Sequence, residues 1–243
     1  MIVEICVQSK SSALMAQQFG ADRIELCSAL ELGGLTPSSG LIQSVISEIQ
    51  LPVHVLIRPR LGDFCYDKEE INAMRLDVIH ALKLGAQGVV IGALTQDFDL
   101  DIPVLQTLIQ AAKDQNSRAH ITAHRAFDWT REPMQSLTQL QEMGVDTLLS
   151  SGQAARAEDG LVLLKKMHQS TRESFTIMPG AGINATNRAL FEQAGFKAIH
   201  ASASRLIQDK HPATGVAFEE ALSPGQRREL DPQKLKGFLQ QSP

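Results

Sequence analysis

RIELC, residues 23–27, places a carboxylate two positions before a thiol, and VEIC at residues 3–6 repeats the arrangement. Residues two apart share a face in a strand. Glu4 therefore points with Cys6 and Glu25 with Cys27, while Val3, Ile5, Val7, Ile24 and Leu26 point the other way. Each stretch reads as a strand with one polar and one aliphatic face, and the aliphatic face needs an apolar cover. Gly20, just ahead of the second stretch, marks the end of a helix, where a left-handed C-cap is expected.

The same punctuation of helix, glycine and strand returns at Gly85, Gly144 and Gly195. Further β-branched runs stand between helical patterns, so that strands are expected near 2–7, 23–28, 53–58, 87–92, 119–124, 146–150, 174–179 and 197–201. Amphipathic stretches lie between them: Leu41, Val45, Ile46 and Ile49 fall on one helical face, as do Leu76, Ile79 and Leu84. Eight strands alternating with helices in 243 residues predict an α/β fold, a parallel eight-stranded TIM (β/α)₈ barrel. An open doubly wound sheet is the rival, but the first βα turn lacks its glycine fingerprint. One domain is expected across 1–243. Its irregular tail, about 205–243, holds a short helix after strand eight, the loop-like DKHPATGVAFEEALSPGQ and a terminal helix from Asp231 with Pro232 in its first turn. That tail either covers the barrel or contributes to a dimer interface.

A net charge of −4 argues against a nucleic-acid partner, which would show a basic stripe, and 5% aromatic residues leave little for base stacking. The start, MIVEICVQSK, has no basic n-region or cleavable apolar segment, and no apolar run nears the roughly 18 residues a membrane span needs. Three cysteines without a secretory signal suggest free thiols in a reducing, cytoplasmic compartment.

Helices packed outside a barrel need the aliphatic strand faces, so the polar faces are expected inside. Strand three then aims His54, Leu56 and Arg58 inward, and strand five His120, Thr122 and His124. Buried charge is costly unless paired, and Glu4 and Glu25 are roughly balanced by Arg23 and Arg58, with His54, His124 and His200 available. This is either a self-satisfied ion network or an active centre at the C-terminal strand ends, where barrel enzymes keep their chemistry. In RPRLGDFCY (58–66), Arg58 and Arg60 are donor forks that either clamp a carboxylate or phosphate or pair with Glu4 and Glu25. In THRAFD (122–128), His124 stands where a general base would, with Asp128 orienting it or Arg125. MPGAGI (178–183) and HASAS (200–204) supply Gly180, Gly182, Ser202 and Ser204 to an anion site of the barrel type, with a serine capping the short following helix. Cys6 and Cys27 lie on neighbouring strands roughly 5 Å apart, which suits a soft ion such as Cu(I), unless barrel shear separates them. Buried cysteines acting as small hydrophobes are the alternative.

VEIC, ADRIELCSALELGGLTPS, IRPRLGDFCY, THRAFD, LLSSG, IMPGAGI and HASAS, in this order from residue 2 to about 204, together resemble the copper homeostasis protein family CutC. The resemblance implies a TIM barrel, a cytoplasmic location, self-association as a homodimer and Cu(I) binding, with Cys6 and Cys27 matching the family's proposed thiol ligands. Leu56 replaces a frequent methionine, which removes one soft donor, and Ala181 stands where a glycine is common. Two functions follow as expectations: a copper-binding homeostasis protein using Cys6 and Cys27, or a barrel enzyme on a small anionic or phosphorylated molecule. The enzyme would use Glu4, Glu25 and His124 for acid–base work, with Arg58 and Arg60 on the substrate. A non-catalytic scaffold with a closed polar interior ranks behind both.

Overall fold

A computed structural model describes residues 1–208 and 226–239. The inner layer is formed by β1 (Ile2–Val7), β2 (Arg23–Leu26), β3 (Val53–Leu56), β4 (Gly88–Ile91), β5 (His120–Ala123), β6 (Thr147–Ser150), β7 (Thr176–Pro179) and β8 (Ala198–Ala201). Between consecutive strands run α1 (Lys10–Gln18), α2 (Ser39–Ile46), α3 (Lys68–Lys83), α4 (Ile102–Gln115), α5 (Pro133–Glu142), α6 (Leu161–Gln169) and α7 (Arg188–Gln193). The strands pair in parallel in the order β8, β1, β2 and onward to β7, which packs beside β8 and closes the ring. This is the TIM (β/α)₈ barrel that the alternation predicted.

Helix starts follow local chemistry. Ser9, Ser38 and Asp101 each accept a backbone amide at an N-cap, and Asp67 forms a capping box with Glu70. The four predicted closing glycines, Gly20, Gly85, Gly144 and Gly195, all adopt positive φ. Val3, Ile5, Val7, Ile24, Leu26, Val53, Val55 and Ile57 join the helices in one continuous apolar core, so the aliphatic strand faces do look outward. In α3 the buried stripe is Met74, Val78, Ala81 and Leu82; of the expected Leu76, Ile79 and Leu84, Leu84 packs against the core from the C-cap, and Leu76 is 42% exposed. The alanine lets that side of α3 approach the sheet closely, which a row of leucines would prevent.

The tail corrects a second expectation. No short helix follows β8; instead β9 (Ser204–Gln208) pairs antiparallel with β10 (Gln226–Leu230). Ser202 and Ser204 therefore cap no helix, and Ser204 opens a strand. Asp231 then caps α8 (Pro232–Leu239), accepting the amides of Gln233 and Lys234, as Pro232 foretold. Helix α8 buries Leu235 and Phe238, and Arg188 of α7 both stacks on the Phe238 ring and donates to its carbonyl at 2.5 Å. DKHPATGVAFEEALSPG, 209–225, lies outside the described residues.

Candidate functional site

The register explains how charges and thiols reach one space. Glu4 stands level with Arg23 on one side and His200 on the other, and Cys6 stands level with Glu25, which in turn pairs with His54. Glu4 is fully buried and accepts Arg23 Nε at 2.6 Å and His200 Nδ1 at 2.8 Å. Burial alone would raise the Glu4 carboxyl, but the Arg23 guanidinium and His200 overcome it and hold the group well below the usual carboxylate range. His200 answers in kind: burial disfavours its charge, yet the bond to Glu4 and the nearby Glu25 raise it. His54 stays neutral, pushed down to about 3 by burial and then by Arg23. Its ring lies 4.8 Å from that of His120, whose Nε2 meets Thr147 Oγ1 at 2.9 Å. These groups form a charge-paired polar floor inside the barrel, in which His54 Nδ1, 4.0 Å from Glu4 Oε2, makes no hydrogen bond.

One pleat above the floor the pairing fails. Cys6, Glu25, Leu30, Leu56, Arg58, Phe64, His124 and His200 line a cavity of about 140 Å³ at the C-terminal strand ends. Cys6 Sγ lies 3.5 Å from Cys27 Sγ and 3.6 Å from Glu25 Oε1. Cys6, Glu25 and His200 each offer a ligand atom within 4.8 Å of the others. Shear does stagger the two cysteines by a pleat, since Cys6 pairs with Glu25, yet the sulfurs still touch. The Cys6 thiol is raised well above its usual value by its bond to Cys27 and by burial, and burial likewise raises Glu25. Glu25 Oε2 has no hydrogen-bond partner. His124 is in the same position: its Nδ1 accepts the Ala126 amide at 3.1 Å, while its buried Nε2 has no partner. Burial and then Arg58 push His124 down to about 3, so its ring is neutral and Nε2 carries an unused proton.

The basic candidates make their hydrogen bonds elsewhere, although the buried Arg58 Nε at the cavity has no partner. Arg58 pairs with neither glutamate; it donates to the carbonyls of Leu32, Gly34 and Gly62 and faces the Phe64 ring. It thereby pins the 28–35 loop, whose Gly34 (φ +88) packs over Leu56 and Cys27. Arg60 points away from the cavity, bonded to Glu70 and Asp63 and to the Cys65 carbonyl. Asp128 does not reach His124. It pairs with Arg125 and accepts from Ser150, Ser151 and Gln153, which organises the loop after β6. Gly180 sits on the His200 side, because a Cβ there would lie 2.4 Å from Leu149 and 3.4 Å from His200 Cβ. Gly182, Ser202 and Ser204 line a separate cavity of about 380 Å³.

Two glycines and a histidine escaped the sequence reading of the site. A Cβ on Gly88 would sit 2.7 Å from the His120 carbonyl and 2.8 Å from the His54 ring, and one on Gly92 would sit 2.3 Å from the His124 ring. Both clear room for an imidazole. Their spacing on strand four, opposite histidines on strands three and five, was the available signal. The sequence offers His200 as a spare charge, and its alternation with the outward Ile199 places it inside.

A family model described as the CutC family matches residues 1–205. A protein from Pasteurella multocida (strain Pm70) named family protein CutC is 43% identical over 224 residues, covering 91% of this chain and 90% of its own. A crystal structure from Streptococcus agalactiae, provisionally named copper homeostasis protein CutC, superposes with a TM-score of 0.76 at 27% identity over 82% of this chain and 97% of that one. KGPDC from Streptococcus mutans shares the barrel alone, with a TM-score of 0.58 at 15% identity over 83% of this chain and 87% of that one. No described helix is long and apolar enough to cross a membrane.

Proposed function

Because the chain belongs to the CutC family, we propose that Cys6 and Cys27 take up Cu(I) as cargo, in keeping with the copper homeostasis name its structural relative carries. The observation that carries this is the 3.5 Å approach of the two sulfurs beside the strand-end cavity. Soft thiolates select Cu(I) over harder ions. Charge also fits: the ion leaves two thiolates with one net negative charge, burial favours a protonated Glu25, and the raised His200 supplies the balancing positive charge. Glu4 and Arg23 already offset each other. The raised Cys6 thiol starts protonated, so uptake releases a proton and apparent affinity rises with pH. Measured anaerobically against a chelator, the wild type should bind one Cu(I), the C65S variant should match it, and the double variant C6S/C27S should bind none. Unchanged stoichiometry in the double variant would sink the reading. So would uptake without proton release, a readout that needs no variant.

A second reading is favoured by a different observation: Glu25 Oε2 and His124 Nε2 are left without partners at the same cavity, as is Arg58 Nε. Stored metal needs none of these. A protonated carboxyl and a neutral imidazole can exchange a proton with a small bound molecule, Glu25 acting as acid and His124 as donor through Nε2. Glu4 would take no proton itself, since Arg23 and His200 hold it ionised. This is a barrel enzyme on a small anionic substrate. Replacing Glu25 by Gln should abolish turnover while Cu(I) uptake persists, and the reverse pattern would overturn the assignment.

A further inference from the structure

We propose that the cavity where β7 and β8 end, closed by α8, holds the phosphate group of a small phosphate monoester. Its volume of about 380 Å³ lies in the range of small-ligand sites, and it is walled by Arg156, Gly182, Asn184, Ser202, Ser204 and Lys234. Segments far apart in the chain converge here. Arg156 comes from the connection after β6, Gly182 and Asn184 follow β7, the serines follow β8, and Lys234 lies in the first turn of α8. Lys234 Nζ donates to the Ser204 carbonyl at 2.9 Å, Arg228 Nη1 reaches Ser204 Oγ at 3.4 Å, and Arg156 Nη2 reaches the Gly182 carbonyl at 3.4 Å. Two cations, Arg156 and Lys234, thus line the cavity, and a third, Arg228, stands behind Ser204. Against them stand Glu158, 3.8 Å from Arg156, and Asp231, which caps α8 and meets Arg205 at 3.7 Å. The balance stays positive.

The hydroxyls of Ser202 and Ser204 face each other at 3.2 Å, and either proton can turn toward an anion. Both loops are strained where they meet the cavity: Ala181 (φ 79°) and Ala203 (φ 42°) occupy the left-handed region that alanine avoids. The flanking Ile183 and Phe238 are apolar, which suits a carbon skeleton beside a charged head. Position argues the same way. His200 faces the thiol cavity, and Ser202, two residues further along the chain, faces this one, a separation of roughly 7 Å. A phosphate held here would stand beside the cavity that Glu25 and His124 line. The inference deepens the acid–base reading by naming the handle its substrate carries, yet the binding test can succeed without it.

The test is calorimetric titration of the full chain with inorganic phosphate, glycerol 3-phosphate and glycerol. Saturable binding of the two phosphates and none of glycerol is expected. The R156Q/K234Q variant should weaken it about tenfold or more, the loss of one or two charge-assisted contacts. R60Q, whose guanidinium lies outside the cavity, should bind as the wild type does. S204A, a smaller change, should give a few-fold loss in a chain whose thermal midpoint is intact. Absence of saturable binding, or full binding by a folded R156Q/K234Q variant, overturns the site. Binding as expected, with no turnover of any phosphate ester, leaves this site standing and sinks the acid–base reading alone.

Discussion

Glu4 and Glu25 occupy the same place in two echoing strands, each two residues before a cysteine, and the barrel treats them oppositely. Glu4 is flanked by Arg23 and His200 and is held ionised; Glu25 keeps only a thiol at 3.6 Å and an oxygen with no partner. One register step separates them. Glu4 pairs with β8 and the start of β2, where cations face it, whereas Glu25 pairs with Cys6 and neutral His54. The lower level is charge-paired around Glu4, with His54 Nδ1 left without a hydrogen bond, whereas the upper level turns its unpartnered atoms onto a cavity. Where a barrel leaves buried polar atoms unpaired, at its strand ends, a ligand is the natural completion.

Substitution should expose that difference. Glu4→Gln removes the carboxylate bonded to the buried charges of Arg23 and His200, and is expected to cost about 3–5 kcal/mol in urea unfolding, as breaking a buried ion pair does. A loss below about 1 kcal/mol, the scale of exposed pairs, would mean that the floor is solvated. Gly88→Ala follows in size, at about 1–3 kcal/mol of overpacking, because its Cβ meets a backbone carbonyl that cannot move aside. Gly92→Ala presses only on the His124 ring and should cost less of that range while altering the cavity.

Glu25→Gln is the smallest and carries the opposite sign. A carboxyl raised in the folded state binds its proton more tightly there than in the unfolded chain, so it withdraws stability as pH climbs from 4.5. The amide should therefore leave stability at neutral pH unchanged or slightly higher. The Glu4 contribution runs the other way: lowered in the fold, it is present above 4.5 and lost as acid protonates it. His54 and His124, both lowered to about 3, bind more protons unfolded than folded between that value and 6.5, so stability should also drop as the pH is lowered through this window. A stability–pH profile flat from 6.5 to 4.5 would contradict their burial as neutral rings. The E4Q profile should retain the histidine slope and lose the carboxylate limb, which separates the two levels in one measurement.

The alternation of VEIC and RIELC, with a glycine ahead of RIELC, was enough to read a barrel with charge inside, because side-chain period and helix termination are local properties. Thiol proximity was also legible, since neighbouring strands have a fixed spacing. Function of the arginines was not. Arg58 and Arg60 look equivalent in RPR, yet carbonyls of a distant glycine loop capture one, while Asp63 on its own loop and Glu70 in the first turn of α3 capture the other. The stripe on α3 was misread for a similar reason: which of two apolar faces turns inward depends on how closely the sheet can be approached.

What the chain alone determined, then, is periodicity: strands, helix ends, the inward set of Glu4, Cys6, Arg23, Glu25, Cys27, His54 and His124, and the family those motifs mark. Only the folded barrel decided which of these are partnered. Partnership depends on shear between strands and on loops such as 28–35 and α8 arriving from afar, and distances of that kind are set by packing rather than by any neighbour in sequence.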